Sequence, residues 1–572
     1  MKTRKYMAMF LRSSLMTGVL IPVFIIILEP LYGQNNHNEQ VTIVGTYDPS
    51  INQSYKINTQ PDVQDFSFQN KGFVFEPLNI RQSTKISLQP IIPSAIRADS
   101  KTPVFNNYLK AGFGSWISPL LDFYHGNNKK GSHSFNLRIF HFSAFKNIPD
   151  YSPSPFSNTL ANIGYQTYAG KTVIALGAKY EMNTNRYYGF NPENYTAFNI
   201  SEDSLKQVFN LAKINLGFKS NNKREGKLEY NINLSSYYYF DRYKSNETDV
   251  KLDYNLAKPF DVTRKLNYQK LGIEGTMEYS INNDSTDRFS NLLATVIPYF
   301  KAKYGIISFK AGLNFTYLNR DKGHFYFYPI LDVNVTFAKD MLTVYAGIDG
   351  GVIKNSFLEL TTQNPWVTSV VPVEWQNNRF NVYGGLRGNI ARSFGFNLKA
   401  GWLKFKNMPF FVNISDFPWG PPYGPLNKFT AVFDDGSVFT FSGELTYNLK
   451  SNLKLWLSGE YNSYSLDSLP QPYHKPLTKI VFGGSYLIAK KVEIKAEALY
   501  YGKRFAVINQ PLVPWEITLD RFVDINLGVT YYITKNLSVF LSGNNLLNWN
   551  YERYFNYPVQ GLQIMGGVGY RF

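Results

Sequence analysis

Apolar and polar side chains alternate one by one over segments of 10 to 14 residues, repeatedly from about residue 105 onward. Examples are "KLEYNINLSSYYYF" at 227–240, "NLKLWLSGEY" at 452–461 and "KVEIKAEALY" at 491–500. A period of two is typical of a β-strand, because successive side chains point to opposite faces of the sheet. Soluble strands usually have about five or six residues, whereas a tilted strand needs about 9–11 to cross the apolar core of a bilayer. The pattern therefore predicts membrane-crossing strands.

The connections between these segments are of two kinds. Very short polar turns, such as "AGK" near 170 and "AKK" at 489–491, alternate with long loops. The long loops are predicted at 183–206, 354–377, 407–436, 503–519 and 549–561. Outer-membrane barrels have short periplasmic turns and longer external loops, and this scheme gives 22 strands with both ends of the barrel on the periplasmic side. Their predicted positions are 106–115, 119–126, 131–142, 158–168, 171–182, 207–219, 227–240, 249–256, 268–280, 288–300, 306–318, 325–337, 341–353, 378–391, 394–406, 437–449, 452–465, 475–488, 491–502, 520–533, 537–547 and 562–572.

The C-terminal strand carries apolar residues at alternate positions up to its last residue. Ile564, Val568, Tyr570 and Phe572 share one face, which we expect to contact lipid. An open sheet in a membrane would leave its edges unpaired, so the last strand must pair with the first. The predicted fold class is all-β: a closed, transmembrane, antiparallel up-and-down β-barrel of about 22 strands at 105–572. The alternative, a secreted propeller or β-solenoid, would show a repeat of fixed period, and the sequence has none.

The N-terminal residues predict export. Four basic residues precede the apolar run "LMTGVLIPVFIIIL", and Gly33 follows as a small residue suited to cleavage, which is typical of a signal peptide at 1–33. Its removal takes away four basic groups and Glu29, which lowers the net charge from +17 to +14. There is no Cys, which excludes disulfides, thiolate metal sites and a lipidated N-terminal cysteine. We expect the outer membrane of a Gram-negative bacterium as the location and its lipid as a partner.

The closing segment "NLSVFLSGNNLLNWNYERYFNYPVQGLQIMGGVGYRF", from Asn536 to Phe572, resembles the last hairpin of TonB-dependent outer-membrane receptors. The matching features are "GNNLLN" at 543–548, Tyr551, Pro558 with Gly561, and the final "YRF". The family usually has Arg after that glycine, whereas this chain has Leu562. The resemblance implies a 22-stranded barrel that takes up a solute.

A second resemblance lies near the predicted mature N-terminus. "EQVTIVGTYDP" at 39–49 is similar to the short box that these receptors offer to TonB, with Val41, Thr42, Ile43, Val44 and Gly45 at its centre. Such an extended segment can add a strand to a periplasmic partner. The family, however, fills its barrel with a plug of well over a hundred residues. The segment 34–104 is shorter and broken by prolines, so it predicts a reduced plug or a short periplasmic segment.

No constellation of residues predicts catalysis, and we expect a protein that is not an enzyme and has no cofactor. His133 and His141 share a face of one predicted strand but lie about 26 Å apart at about 3.3 Å per residue, so they cannot bind one metal ion together. His125, on the preceding strand, could approach one of them. No glycine-rich loop between a strand and a helix predicts a nucleotide site, and no nucleic-acid partner is expected.

Two features predict contacts. The row Lys491, Glu493, Lys495 and Glu497 alternates in sign, which favours ladders across the inner wall over an ion path of one sign. The loop "SDFPWGPPYGPLNKF" at 415–429 is rich in proline and aromatic residues. Its Phe417, Trp419 and Tyr423 predict either an interfacial aromatic cap or a rigid external contact surface for a sugar-like ligand or a protein.

Two functions from different classes remain. The first is transport of an unknown solute across the outer membrane by a receptor-like barrel that engages TonB. The second is a barrel subunit that serves as a platform for lipoprotein or periplasmic partners in an assembly or secretion complex. The short 34–104 segment favours the platform, whereas the closing hairpin and the box-like segment favour transport.

Overall fold

The computed structural model describes residues 105–127, 133–221, 227–260, 263–320, 322–337, 341–390, 393–415, 424–449, 452–508 and 515–572. All of them belong to one compact unit, Asp48–Phe572. The predicted signal peptide at 1–33, the segment 34–104 with the box-like Val41–Gly45, and the loop residues Phe417, Trp419 and Tyr423 lie outside the described residues.

The described residues form 26 strands, one α-helix and one 3₁₀ turn at Pro192–Tyr195. The helix is α1 (Phe357–Gln363). The strands are β1 (Asn107–Gly114), β2 (Ser118–Asn127), β3 (His133–Ala144), β4 (Phe156–Ala169), β5 (Thr172–Arg186), β6 (Lys206–Ser220), β7 (Glu229–Asp241), β8 (Asn246–Pro259), β9 (Asn267–Asn283), β10 (Arg288–Tyr304), β11 (Ile307–Asn319), β12 (Gly323–Phe337), β13 (Leu342–Asn355), β14 (Glu374–Ile390), β15 (Phe394–Ile414), β16 (Lys428–Leu449), β17 (Leu453–Leu466), β18 (Thr478–Ile488), β19 (Val492–Tyr501), β20 (Arg504–Ile508), β21 (Trp515–Leu519), β22 (Phe522–Tyr532), β23 (Leu537–Asn544), β24 (Glu552–Tyr554), β25 (Tyr557–Pro558) and β26 (Gln563–Arg571).

Twenty-two of these strands close into one antiparallel barrel, as predicted. Each barrel strand pairs with the next, and β1 pairs with β26 in a register that places Leu109 opposite Tyr570 and Phe113 opposite Gly566. Asn107 N donates to the Phe572 carbonyl at 2.9 Å. Closure pairs the backbone groups that an open edge would leave unsatisfied in lipid.

The outer surface is apolar, and the C-terminal strand is part of it. Ile564, Val568, Tyr570 and Phe572 are 44–50% exposed and share the outward face. Their neighbours Met565 and Arg571 are buried on the opposite face. The alternation along β26 thus places apolar side chains on the outer surface and the remaining side chains in the barrel interior.

The inner wall gains packing from tyrosine rings that lie flat over glycines of a neighbouring strand. A Cβ at Gly385 would lie 2.5 Å from the ring carbon Cζ of Tyr345, and one at Gly347 would lie 2.6 Å from Cζ of Tyr383. Only glycine admits such a close approach. These rings carry cations above them: the Lys399 Nζ lies 4.3 Å from the centroid of Tyr383.

Ion pairs between neighbouring positions also line the inner wall. Lys310 Nζ lies 2.5 Å from Glu274 Oε1, and Lys495 Nζ lies 3.2 Å from Glu493 Oε1. In the row predicted to form ladders, Glu493 and Lys495 pair with each other along β19, whereas Lys491 lies in the turn before β19. Because lysine and glutamate side chains are mixed on the inner wall, the wall is polar but is not lined by charges of a single sign.

The predicted strand positions all correspond to barrel strands, and the differences lie at the long-loop end. The predicted loop 407–436 is largely strand, because β15 continues to Ile414 and β16 begins at Lys428. The predicted loop 503–519 contains the hairpin β20–β21, and the predicted loop 354–377 contains α1. No described helix has the length and apolar character that a membrane-spanning helix requires.

Candidate functional site at the long-loop end

The long loops of the barrel pack together into one apolar cluster, which we call the cap. It joins the β3–β4 and β5–β6 loops, the β13–β14 loop with α1, the extended ends of β15 and β16, and the β23–β26 loop. Its buried members are Ile148, Tyr187, Tyr188, Phe190, Leu205, Phe209, Leu211, Tyr239, Phe357, Leu360, Trp366, Val367, Val371, Val373, Phe411, Phe429, Ala431, Tyr554 and Tyr557.

Three aromatic rings from three loops form the centre of the cap. Trp366 stacks on Tyr557 with ring centroids 3.9 Å apart, and Tyr188 meets Tyr557 edge-on at 4.8 Å. Their polar atoms are satisfied, since Tyr188 donates to the Pro558 carbonyl at 2.8 Å and Trp366 Nε1 donates to the Arg186 carbonyl at 3.1 Å. Burial raises the pKa of the Tyr188 and Tyr557 hydroxyls. The loops are therefore held together in a fixed arrangement.

Polar ties between distant loops reinforce this packing. The Asn427 side chain donates to the Tyr187 carbonyl at 2.8 Å, and Tyr187 donates to the Val367 carbonyl at 3.1 Å. The Tyr557 hydroxyl donates to the Asn427 carbonyl. A buried backbone carbonyl without such a partner would destabilise the cap, so these side chains complete the hydrogen bonding of the loops.

His474, from the β17–β18 loop, is 2% exposed and joins three further parts of the cap. Its Nδ1 donates to the Phe411 carbonyl at 2.9 Å, and its Nε2 accepts from the Phe555 N–H at 3.4 Å. Its ring stacks on Tyr554 at 5.3 Å and meets Phe429 edge-on at 5.2 Å. Burial lowers the pKa of His474 from 6.5 to about 4, so the neutral imidazole fits both bonds.

The hairpin β20–β21 is fastened beside the cap by Arg504. Its guanidinium donates to the Asp520 carbonyl at 2.7 Å and to the Glu552 carbonyl at 2.9 Å. It also lies over the ring of Phe522, which stacks on Tyr551 at 3.7 Å. Tyr551, which the sequence resemblance singled out, thus connects the closing hairpin to the rest of the long-loop end.

The β13–β14 loop spans part of the barrel mouth. We call residues 354–373 the crossing segment. The segment starts on β13 and contacts β6 to β9. Because β9 to β12 lie between β8 and β13 in the ring, the segment passes across this part of the mouth. Phe357 of α1 packs on the Tyr239 ring at 5.3 Å, and Thr361 Oγ1 lies 2.6 Å from the Tyr239 hydroxyl. Ser356 caps α1 by accepting from the Glu359 N–H at 3.1 Å.

A buried charge cluster holds the start of the crossing segment. Lys354 Nζ lies 2.7 Å from Asp249 Oδ2, 2.9 Å from Glu247 Oε1 and 3.2 Å from Glu278 Oε1. Glu247 also accepts from the Phe357 N–H at 2.7 Å and from the Tyr237 hydroxyl. This cluster, which we call the Lys354 cluster, ties the crossing segment to β7, β8 and β9.

The cap also has a small crevice with a cavity volume of about 30 Å³. Tyr188 and Trp366 line it together with the amide side chains of Asn185 and Gln560. Its volume is far below the range of small-ligand sites, about 300–1,000 Å³, so the packed cap leaves no room for a ligand of that size.

The histidines within the described residues do not form a metal site. His125 pairs with Leu137, four residues from both His133 and His141, and its Nδ1 lies 2.6 Å from Asn107 Oδ1. His141 contacts Thr159 at 2.8 Å. Across the described part of the chain, no three His, Asp or Glu side chains are placed to hold a metal ion.

Neither the cap nor the Lys354 cluster was predicted, because their members are far apart in the sequence. One local signal was present: Ser356 followed by Glu359 is the S-x-x-E pattern of a helix N-terminus, which predicts α1 inside the loop. The other signal was "MPFFVNI" at 408–414, an apolar run that continues β15.

The sequence matches no protein-family model, and no curated protein is similar to it in sequence. Solved structures share its fold. The pyoverdine outer-membrane receptor FpvA of Pseudomonas aeruginosa has a TM-score of 0.60 at 12% identity, over 83% of this chain and 79% of that one. The ferric-catecholate import receptor Fiu of E. coli has a TM-score of 0.61 at 9% identity, over 82% of each chain. The FrpB iron transporter of Neisseria meningitidis has a TM-score of 0.59 at 14% identity, over 82% and 81%.

These similar structures are TonB-dependent outer-membrane receptors with closed 22-stranded barrels. The resemblance noted in the closing hairpin is therefore confirmed for the barrel fold. A plug is not among the described residues, and the reduced plug remains a prediction.

Proposed function

We propose that this protein is an outer-membrane transporter that admits a solute through the barrel lumen, with the cap as its outer closure. The observation that carries the proposal is the closed 22-stranded barrel with a polar, ion-paired inner wall. Barrels of this size enclose a wide lumen. The fold is shared with receptors whose names state that they import or bind iron compounds, which supports the same class of activity here.

In this proposal the long loops face the cell exterior and the short turns face the periplasm of a Gram-negative cell. The solute first meets the cap, whose packed apolar side chains close the long-loop end. The crossing segment must then move, because it is fixed across part of the mouth. The segment at 39–49 is proposed to engage TonB as the source of energy.

Conductance of the purified full chain in planar bilayers tests the lumen. We expect low conductance in the intact protein and a several-fold increase when residues 357–373 are replaced by a short Gly-Ser linker. As a matched control, residues 284–287, which connect β9 and β10 at the long-loop end, are replaced by Gly-Ser. This replacement should leave the conductance unchanged. Equal conductance in all three proteins would contradict a path closed by the crossing segment.

Deletion of 39–49 tests the source of energy separately. Loss of solute uptake in cells, with the barrel still heat-resistant in detergent, would support engagement of TonB. Unchanged uptake would remove TonB from the proposal.

A second candidate function is a platform subunit for lipoprotein or periplasmic partners. The packed cap favours a lipoprotein partner at the outer face, because loops tied by buried side chains such as Trp366 and Tyr557 present a firm surface to a protein. Stoichiometric partners after purification in mild detergent, together with unchanged conductance in the linker variant, would favour the platform over transport.

A further inference from the structure

The Lys354 cluster is shaped around a primary ammonium group. An ammonium has three hydrogen-bond donors, and three carboxylates from two strands surround this one at 2.7, 2.9 and 3.2 Å. The Tyr237 hydroxyl adds a fourth contact at 3.3 Å. The side chains of Lys354, Glu247, Asp249 and Glu278 are only 7%, 0%, 3% and 11% exposed.

The cluster holds more negative charge than its lysine neutralises. Three carboxyl groups face one ammonium, and Asp249 and Glu278 are hydrogen-bonded to each other through one shared proton, which still leaves one negative charge. Within the part of the chain that the structure describes, Lys354 is the only cation at salt-bridge distance from them. The nearby Lys251 is paired with Asp253 at 3.4 Å instead. Buried charge without a counter-charge is costly, so the site favours additional positive charge.

Unpaired polar side chains extend from the same carboxylates. Asn282 lies directly opposite Glu247, and Ser280 lies between Asp249 on one side and Asn291 on the other. Residues in direct register share a face, with Cβ atoms about 4.5–5.5 Å apart. Ser280, Asn282 and Asn291 are 0%, 4% and 1% exposed, and their side-chain polar atoms have no hydrogen-bond partner.

We propose that this is a binding site for the ammonium group of an amine-bearing solute, and that Lys354 occupies it as a placeholder. The proposal rests on the transport function above and names the solute class: a compound with two or more primary or secondary amines. One amine takes the place of the Lys354 ammonium, and a second meets the surplus carboxylate charge. The rest of the solute can pair with Ser280, Asn282 and Asn291.

Binding at this site is coupled to the crossing segment. Lys354 is two residues before Ser356, which caps α1, and Glu247 holds both Lys354 and the Phe357 N–H. A solute that takes Glu247 and Asp249 removes the contacts that fasten the start of the segment. An amine fits better than a metal ion, because the cluster already surrounds an ammonium and no described group of side chains has a metal-binding arrangement.

The test uses spermidine as the probe and the purified full chain in lipid nanodiscs, with isothermal titration calorimetry. Lys354→Met should bind spermidine at least tenfold more tightly than the unmodified protein, because the competing ammonium is gone and the carboxylates remain. Lys354→Gln should show the same direction. Lys310→Met is the matched control, since Lys310 is an inner-wall lysine paired with Glu274, and its affinity for spermidine should stay within about threefold.

Adding Glu247→Gln and Asp249→Asn to Lys354→Met should abolish the gain. A measurement on the unmodified chain needs no variant: spermidine should speed hydrogen exchange of the amides at 356–363, whereas 1,8-octanediol should not. The proposal is overturned if Lys354→Met binds spermidine no more tightly, if Mg²⁺ at equal ionic strength reproduces the gain, or if exchange at 356–363 is unchanged. If spermidine binds as expected while the linker variant shows no added conductance, the amine site stands and transport does not.

Discussion

The wall of the barrel and the cap are stabilised by contacts of opposite range. In the wall, each strand pairs with its neighbour in the chain, and only the β1–β26 seam and the β19–β22 and β23–β26 steps depart from that order. In the cap, Tyr187 bonds to Val367 over 180 residues and Tyr188 bonds to Pro558 over 370. The comparison teaches that the wall is a locally specified structure, whereas the cap exists only when the wall has brought its loops together.

The largest effect is expected from a substitution at the centre of the cap, which should destabilise the cap and leave the wall unchanged. Trp366→Ala removes a ring that is 2% exposed and stacked at 3.9 Å on Tyr557, which should cost about 3–5 kcal/mol of local stability. Hydrogen exchange of the β5–β6 and β23–β26 loops should increase. Heat resistance of the barrel on gels should not change, and a loss of that resistance would show that wall and cap are one cooperative unit.

A charged substitution on the outward face should destabilise the wall. Val568→Arg places a charge on the outward face of β26, 49% exposed at the middle of the strand, and should cost about 2–4 kcal/mol in a bilayer. Guanidinium titration of the protein refolded into vesicles measures it, with Val568→Leu as the apolar control. Exchange in the cap should change only when the whole barrel unfolds.

Acid should loosen the cap and spare the wall. The pKa of His474 is lowered to about 4 by burial, whereas the unfolded histidine titrates at 6.5. Below pH 6.5 the released loop binds a proton that the packed loop does not, so the stability of the cap falls between pH 6.5 and 4, by up to about 3 kcal/mol. A protonated Nε2 would also face the Phe555 N–H, donor against donor.

Limited proteolysis of the β17–β18 loop against pH measures this loss. His474→Gln keeps one acceptor and one donor but has no titration in this range, so its cleavage should be independent of pH. The same pH profile in both proteins would assign the effect to other groups.

The smallest expected effect concerns the crossing segment alone. Ser356→Ala removes the side chain that accepts a hydrogen bond at the N-terminus of α1 and should lower the stability of the helix by about 1 kcal/mol. Exchange of the amides at 357–360 should increase by several-fold, while Ser356→Asp, which can accept the same bond, should behave as the unmodified chain.

The wall was predictable from the sequence and the cap was not, for a physical reason. Each strand carries its own alternation with a period of two, as in 491–500, and this period together with the short turns and long loops placed the 22 strands. The outward set Ile564, Val568, Tyr570 and Phe572 followed from the same period.

The extension of β15 shows where this reasoning fails. Phe410, Phe411 and Val412 are all buried, because one face meets the cluster around Tyr473 and the other meets the cap. A strand covered on both sides loses its alternation. The partners of Lys354 are more than 70 residues away in the chain, and a lone lysine after "GGVI" gives no sign of the three carboxylates that surround it.

The seam between β1 and β26 sets the order in which the molecule can be completed. Asn107 bonds to Phe572 across 465 residues. The free edge of β1 therefore has unpaired backbone groups until β26 has been synthesised. During that interval the edge is open to any other strand, and the half-finished sheet cannot rest in lipid. In the proposed outer-membrane location, we therefore expect insertion to follow synthesis of the C-terminal strand, and removal of β26 should prevent closure of the barrel.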